Sequence, residues 1–210
     1  MIMMMEEYIK RNIDAQLIAW KEDTMRKPLL LRGARQVGKS SAIRNFGKQF
    51  KYFAEVNFER NKAVKTFFHG DIDVRLIVEK ISTYINVPIE AGNTLLFFDE
   101  IQECPEALMA LRFFKEEYPE LHVVAAGSLL EFALQELPTF GVGRIHSLFM
   151  YPMTFDEFLF ANHEDGLVKI RDGAYGKQPV EQVFHDKLVE YFRTYLLVGG
   201  MPESVLAGLR

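Results

Sequence analysis

Two glycines separated by four residues, and followed by a lysine and a serine, occur in the segment Gly33-Ala34-Arg35-Gln36-Val37-Gly38-Lys39-Ser40. The glycines let the backbone curl until successive N–H groups point at phosphate oxygens, and a helix that starts after them adds the positive end of its dipole. The lysine of such a segment reaches the β- and γ-phosphates, and the hydroxyl after it ligates Mg²⁺. The segment, together with Ser41, therefore predicts a binding site for a nucleoside triphosphate and Mg²⁺.

An acidic pair, Asp99 and Glu100, directly follows the apolar run Leu95-Leu96-Phe97-Phe98. In open α/β sheets, ligands bind beyond the carboxyl ends of the strands, so a strand over this run would deliver both acids to the phosphate site. We expect Asp99 to hold Mg²⁺, through water, and Glu100 to orient or deprotonate the attacking water. The alternative for such a pair is an acidic cap of a following helix; the phosphate-binding segment upstream favours the catalytic interpretation.

Two further residues are candidates for contact with the γ-phosphate. Ser128 ends an apolar run and is interpreted as a sensor that bonds the γ-phosphate or the attacking water; its alternative role is to cap a helix over residues 129–137. Arg144 follows a glycine-containing loop and is a candidate arginine finger, in cis or from a neighbouring subunit. Its alternative is a solvated surface group at the start of a strand. Arg32 and Arg35 flank the phosphate loop and could touch phosphate or adenine.

Apolar patterns predict strands that alternate with helices around these residues. Strands are predicted over 28–31, 51–58, 94–98, 121–126 and 144–151, and the continuous apolar runs among them are typical of strands buried on both faces. Helical spacing predicts helices over 6–20, 38–49, 71–87 and 105–118. The order predicts an α/β fold with three layers and a mostly parallel sheet. The extra strand before a distant Asp-Glu pair is similar to the additional-strand, catalytic-glutamate class of P-loop NTPases.

The domain organisation follows from where these patterns stop. We expect a P-loop domain, with its N-terminal helix, over residues 1–161. Residues 162–179 are polar and contain three glycines, which predicts a mobile loop or linker. Residues 180–210 begin with a strongly amphipathic helical pattern, which predicts the start of a helical lid. Because no terminating unit follows, we expect the chain to be a piece of a longer protein.

Composition narrows the class of partner and the compartment. The net charge of −4 argues against a dedicated nucleic-acid binder, although it leaves room for a local basic face. A single cysteine, Cys104, cannot form an intramolecular disulfide and favours a reducing, cytoplasmic compartment. No apolar run approaches the roughly 20 residues that span a bilayer, and the apolar start lacks the features of a signal peptide, so no membrane partner is expected. The five histidines lack partners at ligand spacing, which argues against a metal site built from them.

The order of short motifs along the chain resembles that of a family of predicted bacterial and archaeal AAA-type ATPases, grouped near the STAND NTPases. The motifs are, in order, Pro28 to Ser40, Val56-Asn57-Phe58-Glu59, Phe98-Asp99-Glu100-Ile101-Gln102, Ala126-Gly127-Ser128, Gly143-Arg144, Tyr151 to Phe158 and Gly199-Gly200-Met201-Pro202-Glu203. The resemblance covers about residues 6–205 and implies an AAA-like core that binds ATP. Members of the family usually continue with helical segments and a nuclease-like domain, so the resemblance also implies an effector beyond this chain.

ATP is favoured over GTP, because the guanine-reading pattern Asn-Lys-x-Asp is incomplete in the run Asn61-Lys62-Ala63-Val64. We therefore expect Mg-dependent hydrolysis of ATP to ADP and phosphate, with Lys39, Glu100, Ser128 and Arg144 as catalytic residues, acting as a switch or motor for a C-terminal effector. Two alternatives stay open: a nucleotide-gated interaction module with little turnover, and the ATPase of a DNA-associated machine. A homo-oligomer, and a protein or DNA partner bound through a further C-terminal region, are compatible with all three.

Overall fold

The computed structural model describes residues 8–128, 143–176 and 178–208. The chain forms two compact units, an α/β unit over Ile13–Met150 and a helical unit that combines Met1–Asn12 with Tyr151–Arg210. The chain therefore passes from the first unit to the second directly after Met150, whereas the sequence placed the end of the P-loop domain at residue 161. No helix in the described ranges has the length and apolar character needed to cross a bilayer.

Strands and helices alternate along the described part of the α/β unit, as predicted. The strands are β1 (Leu29–Arg32), β2 (Tyr52–Asn57), β3 (Thr94–Asp99), β4 (His122–Ala126) and β5 (His146–Phe149). The α-helices are α1 (Ile13–Glu22), α2 (Lys39–Gly47), α3 (Val74–Ile85) and α4 (Pro105–Glu117), and shorter 3-10 helices cover Lys62–Phe68 and Ile101–Glu103.

The five strands form one sheet in the order β2-β3-β4-β1-β5, and every neighbouring pair is parallel. β4 lies between β1 and β3, so the strand that precedes the phosphate loop and the strand that ends in the acidic pair are not neighbours. This order is that of the additional-strand class, and the predicted fold is confirmed. All residues of β3 and β4 are buried, which explains why these two segments are continuous apolar runs.

Helices cover both faces of the sheet, because alternate residues of a strand point to opposite faces. On one face, Phe98 of β3 packs against Phe114 of α4, with ring centroids 6.0 Å apart. On the other face, Phe97 stacks on Phe53 of β2 at 6.2 Å. A Cβ on Gly47 of α2 would lie 2.5 Å from the Phe53 ring, so α2 approaches this face closely. The result is the predicted three-layer arrangement.

The helical unit contains α5 (Phe155–Ala161), α6 (Asp165–Ala174), α7 (Gln182–Val198) and α8 (Pro202–Gly208). The expectation of a loop over residues 162–179 is corrected, since α6 occupies most of that segment. Its Leu167 and Val168 are buried in a cluster with Leu159 of α5. Only these apolar positions are needed to bury one side of a short helix, so the polar and glycine-rich composition of the segment concealed it.

A buried carboxylate holds the N-terminal residues of the helical unit. Glu157 is 3% exposed, and its Oε2 accepts a hydrogen bond from the Thr154 backbone N–H at 2.8 Å. The Thr154 hydroxyl in turn accepts a hydrogen bond from the Glu157 backbone N–H. The two bonds form a capping box at the start of α5. The Oε1 of Glu157 accepts from Arg11 Nε at 3.0 Å and from Asn12 N at 2.6 Å. Because Asn12 N–H is bound in this way, the helix predicted over residues 6–20 begins at Ile13 within the part of the chain that the structure describes, and residues 6 and 7 lie outside that part.

Candidate active site

The phosphate loop between β1 and α2 has the backbone conformation that its glycines permit. Gly33 and Gly38 have φ values of 142° and 98°, and Gln36 between them also has a positive φ of 64°. A Cβ on Gly33 would lie only 2.1 Å from the carbonyl oxygen of Met150, at the end of β5, so no other residue fits there. Val37 is fully buried and anchors the loop in the core.

Other predicted loop residues face solvent. Ala34, Arg35, Gln36 and Ser41 are exposed, so their side chains are available to a ligand or to water. The guanidinium of Arg32 lies 4.6 Å from the ring centre of Phe149 on the neighbouring strand β5. Its stacking on that ring gives Arg32 a structural role that the sequence did not predict.

Lys39 opens α2 and is 8% exposed. Its Nζ donates hydrogen bonds to the carbonyl oxygens of Gly33 at 2.8 Å and Ala34 at 2.7 Å, which closes the phosphate loop over itself. Burial lowers the pKa of Lys39, and the carboxylates of Glu100 and Asp99 oppose this effect. The hydrogen-bond acceptors of the ammonium among the described residues are neutral, so the two carboxylates compensate its charge only without a direct hydrogen bond, which favours the binding of an anion beside it.

The two predicted metal-binding residues are brought into contact. Asp99 ends β3 and is 4% exposed, and its Oδ1 accepts a hydrogen bond from the Ser40 hydroxyl at 2.9 Å. Its Oδ2 accepts from Asn57 Nδ2 at 3.1 Å. Burial raises the pKa of Asp99, and the hydrogen bonds from Ser40 and Asn57 act against that rise. Carboxylate and hydroxyl oxygens are hard donors of the kind that Mg²⁺ prefers.

Two residues beside Asp99, Asn57 and Arg44, have no role in the sequence-based prediction of the site. Asn57 ends β2 and is paired in register with Asp99 of β3, so a polar residue at the end of the predicted strand was the available signal. Arg44 lies on α2 four positions after Ser40, and its Nη2 is 3.7 Å from Asp99 Oδ2. The same guanidinium pairs with Glu55 at 2.6 Å. Helical spacing from Ser40 would have placed Arg44 on the same side of α2.

Glu100 and Ser128 also come together at this edge of the sheet. Glu100 has a left-handed backbone, with φ 51° and ψ 48°. Its Oε2 accepts hydrogen bonds from Gln102 Nε2 at 2.6 Å and from the Ser128 hydroxyl at 3.5 Å. The sensor role of Ser128 stays a prediction, and the helix that Ser128 would cap in the alternative interpretation lies outside the described residues.

Arg144 is not brought to the phosphate loop of its own chain. It precedes β5, and the register pairs Leu29, the first residue of β1, with His146, so Arg144 lies beyond the amino ends of the strands. The phosphate loop lies at their carboxyl ends. Arg144 Nε instead contacts Glu116 of α4 at 2.5 Å. The structure therefore does not support a finger acting in cis, and a role towards a neighbouring subunit stays a prediction.

Solved structures that match this chain include a Walker-type ATPase. A Walker-type ATPase of Pyrococcus abyssi superposes with a TM-score of 0.55 and 18% identity, over 98% of this chain and 68% of that one. The ORC1 protein of Aeropyrum pernix, in complex with DNA, gives 0.47 and 12% over 97% and 66%. A STAND protein of Pyrococcus horikoshii with a tetratricopeptide repeat sensor gives 0.49 and 12% over 94% and 29%. At these identities the likeness to the first protein concerns the fold, and the chain spans less than two thirds of the other two.

A search of curated proteins found no match. The AAA domain family matches residues 25–159, a stretch that includes the phosphate loop, the acidic pair and all five strands. The stretch is more than half of the chain and contains every residue of the site described above. The family resemblance inferred from the order of motifs is thereby confirmed. This chain belongs to the AAA domain family and has the α/β core of P-loop ATPases.

Proposed function

We propose that this chain binds ATP with Mg²⁺ at the carboxyl edge of its sheet and hydrolyses it to ADP and phosphate. The observation that carries the proposal is the buried ammonium of Lys39, whose hydrogen-bond acceptors are the neutral carbonyls of Gly33 and Ala34. A buried charge is costly unless it is paired, and a polyphosphate bound in the loop would supply the missing negative charge. The positive end of the α2 dipole favours the same ligand.

The residues beside Lys39 fit a magnesium ion. The Ser40 hydroxyl and the Asp99 carboxylate lie 2.9 Å apart and would hold the ion between them and the phosphates. Among the described residues, no three His, Cys, Asp or Glu side chains converge on a metal site, so phosphate oxygens and water would complete the coordination. When bound, Mg²⁺ neutralises charge on the β- and γ-phosphates. Asn57 keeps the Asp99 carboxylate oriented through its other oxygen.

Glu100 is the group best placed to take the proton of the attacking water. Its Oε2 accepts hydrogen bonds from Gln102 and Ser128, so Oε1 is the oxygen that would accept the proton. The Glu100 carboxylate also acts against the burial that lowers the pKa of Lys39, the residue proposed to bind the γ-phosphate. A carboxylate within reach of this water is what general base catalysis requires.

A nucleotide-gated module with little turnover is the second candidate, and the position of Arg144 favours it for the isolated chain. An arginine finger contributes about 10³–10⁵ in rate, and Arg144 lies at the opposite edge of the sheet from its own phosphate loop. We expect the isolated chain to hydrolyse ATP slowly until a neighbouring copy or a further C-terminal region supplies the missing charge. The output of nucleotide binding and hydrolysis would be a conformational switch or a motor stroke that acts on a protein or DNA partner.

Thermal unfolding tests the binding step. ATP and Mg²⁺ at about 100 times the dissociation constant stabilise the folded state by about 2.7 kcal/mol, which raises the melting temperature of a chain of this size by roughly 5–10 °C. Lys39→Ala should abolish the shift, because the phosphates lose their cation, while the melting temperature without nucleotide stays close to that of the parent. Lys48→Ala, at the exposed end of α2, is the matched control and should retain the shift. Equal shifts in the parent and Lys39→Ala would show that the nucleotide does not bind in this loop.

A phosphate-release assay separates the two candidates. A measurable rate that requires Mg²⁺ and disappears in Lys39→Ala supports hydrolysis. Binding without release, in the isolated chain and in its assembled form, supports the gated module instead.

A further inference from the structure

Glu100 is bound by a glutamine two residues later in the chain. Gln102 Nε2 donates to Glu100 Oε2 at 2.6 Å, which is the shortest hydrogen bond to this carboxylate among the described residues. A hydrogen bond from an amide to an ionised carboxylate is charge-assisted and stronger than one between neutral groups. The contact therefore restricts the rotation of the Glu100 side chain, whose hydrogen bond from Ser128 is longer, at 3.5 Å.

The orientation of the Gln102 amide is determined by its partner. An ionised carboxylate can only accept, so the nitrogen of the amide must face Glu100. The amide oxygen, Oε1, is then buried and has no hydrogen-bond partner among the described residues. A buried carbonyl is normally paired with a protein donor or with water. The second end of Gln102 thus offers an acceptor to a water molecule close to the Glu100 carboxylate.

The backbone around the pair is held in place by local structure. Glu100 adopts the left-handed conformation, which is uncommon for residues other than glycine, and its carbonyl accepts a hydrogen bond from Glu103 N at 3.0 Å. Ile101 between the two partners is fully buried. The resulting 3-10 turn over Ile101–Glu103 brings the side chains of residues 100 and 102 to the same place. Uncommon conformations of this kind cluster at functional sites because the surrounding structure maintains them.

We propose that Gln102 is a positioning residue that fixes one oxygen of Glu100, so that the other oxygen faces the water that attacks the γ-phosphate. The inference rests on the proposed hydrolysis. Without the Gln102 donor, Glu100 would sample several rotamers, and only a fraction of them would place a carboxylate oxygen beside the water. Substrate binding would be unaffected, because Lys39 and Ser40 are the residues proposed to contact the nucleotide and Gln102 is not one of them.

The test compares substitutions at two neighbouring positions of the same 3-10 turn. Gln102→Met keeps the length of the side chain but removes the donor, and Gln102→Glu keeps its shape but replaces the donor with a second carboxylate. We expect Gln102→Met to lower kcat about 10-fold and Gln102→Glu to lower it further, with KM and Kd for ATP changing less than about 2-fold. Glu103→Gln, whose side chain pairs with Lys65 at the surface, is the matched control and should keep the parental kcat.

A double-substitution experiment shows whether Gln102 acts through Glu100. Adding Gln102→Met to Glu100→Gln should cause no further loss in single-turnover assays, because the group being positioned has already been replaced. Multiplicative losses would overturn the proposal, as would a parental or raised kcat in Gln102→Met, or a kcat loss matched by a similar loss of ATP affinity. If the parent itself releases no phosphate with Mg-ATP, the proposed function fails and the role of Gln102 fails with it. A parent that turns over beside an equally active Gln102→Met removes the positioning role alone.

Discussion

Charged side chains are buried at the carboxyl edge of the parallel sheet, whereas an ion pair at its amino edge is exposed. At the carboxyl edge, the Lys39 ammonium is buried against neutral carbonyls, and burial raises the pKa of Asp99. At the amino edge, Arg144 pairs with Glu116 at the surface. Solvent therefore does not compensate the charges at the carboxyl edge, whereas the Arg144–Glu116 pair at the amino edge is in contact with water.

His122 shows how the amino edge accommodates a buried titratable group. It begins β4, is 5% exposed and lies between the rings of Trp20 and Phe50, at centroid distances of 5.8 Å and 5.0 Å. Burial, together with the positive charges of Arg26 and Lys21, lowers the pKa of His122 to about 4. The imidazole is therefore neutral in the folded protein at pH 7, so its burial adds no unpaired charge.

The difference in the burial of charged groups between the two edges helps to locate the functional site. Poorly compensated charges are typical of functional sites, so they favour the carboxyl edge as the place of the proposed ATP site. Substitutions at that edge should alter turnover and leave folding nearly unchanged, whereas substitutions at the amino edge should alter stability and leave turnover nearly unchanged. Three experiments test this contrast.

The largest effect is expected from Glu100→Gln at the carboxyl edge. The amide keeps the shape of the side chain but cannot take a proton from water, so kcat should fall about 10²-fold or more. The dissociation constant for ATP, measured by titration, and the free energy of unfolding should stay close to the parental values. Parental rates in the variant would assign the base to another group.

An intermediate effect, on stability, is expected when the pH is lowered, because His122 lies at the amino edge. The folded pKa of His122 lies below its unfolded value of 6.5, so the unfolded chain binds a proton first as the pH falls. The neutral His122 imidazole therefore contributes to the free energy of unfolding. This contribution is complete above pH 6.5 and is lost towards pH 4, by about 2 kcal/mol at pH 4.5. His122→Gln has no group that titrates in this range, so its loss of stability between pH 7.5 and pH 4.5, measured by urea unfolding, should be smaller by that amount.

The control for this experiment is the turnover of His122→Gln at pH 7.5. We expect a rate within about 2-fold of the parent, because His122 lies at the opposite end of β4 from Ser128. A loss as large as that of Glu100→Gln would contradict the contrast between the edges, and an equal acid response in the two proteins would remove His122 as its cause.

The smallest effect is expected from Arg144→Ala in the isolated chain. Its pair with Glu116 is at the surface, where such pairs contribute about 0–1 kcal/mol, and its own phosphate loop is at the other edge. Stability and basal turnover should therefore stay nearly parental. Arg112→Ala, on the helix α4 that carries Glu116, is the matched control and should behave in the same way.

Mixing Arg144→Ala with Lys39→Ala tests action between copies, since one composite site would regain both groups. Recovered turnover would support a shared site, and a tenfold loss in the monomer would show that Arg144 acts in cis.

Much of the α/β unit could be predicted because its signals are local. Buried parallel strands are continuous apolar runs, and the phosphate loop has fixed spacing, so β1, β3 and the positions of Lys39 and Asp99 followed from the sequence. The remaining features depend on contacts between distant segments. Asn57 acquires its role only when β2 pairs with β3, and α6 becomes a helix by burying Leu167 against other helices.

The close approach of Gly33 to Met150 has a mechanical consequence. The carbonyl of Met150 lies against the Cα of Gly33, and Met150 N–H donates to the carbonyl of Arg32 at 2.8 Å, so the end of β5 is in contact with the start of the phosphate loop. Close-packed contacts transmit displacement because there is no space to absorb it. A shift of the loop on nucleotide binding would therefore displace Met150. Met150 is the last residue of the α/β unit, so the residue displaced with the loop is the one directly before Tyr151 of the helical unit in the chain.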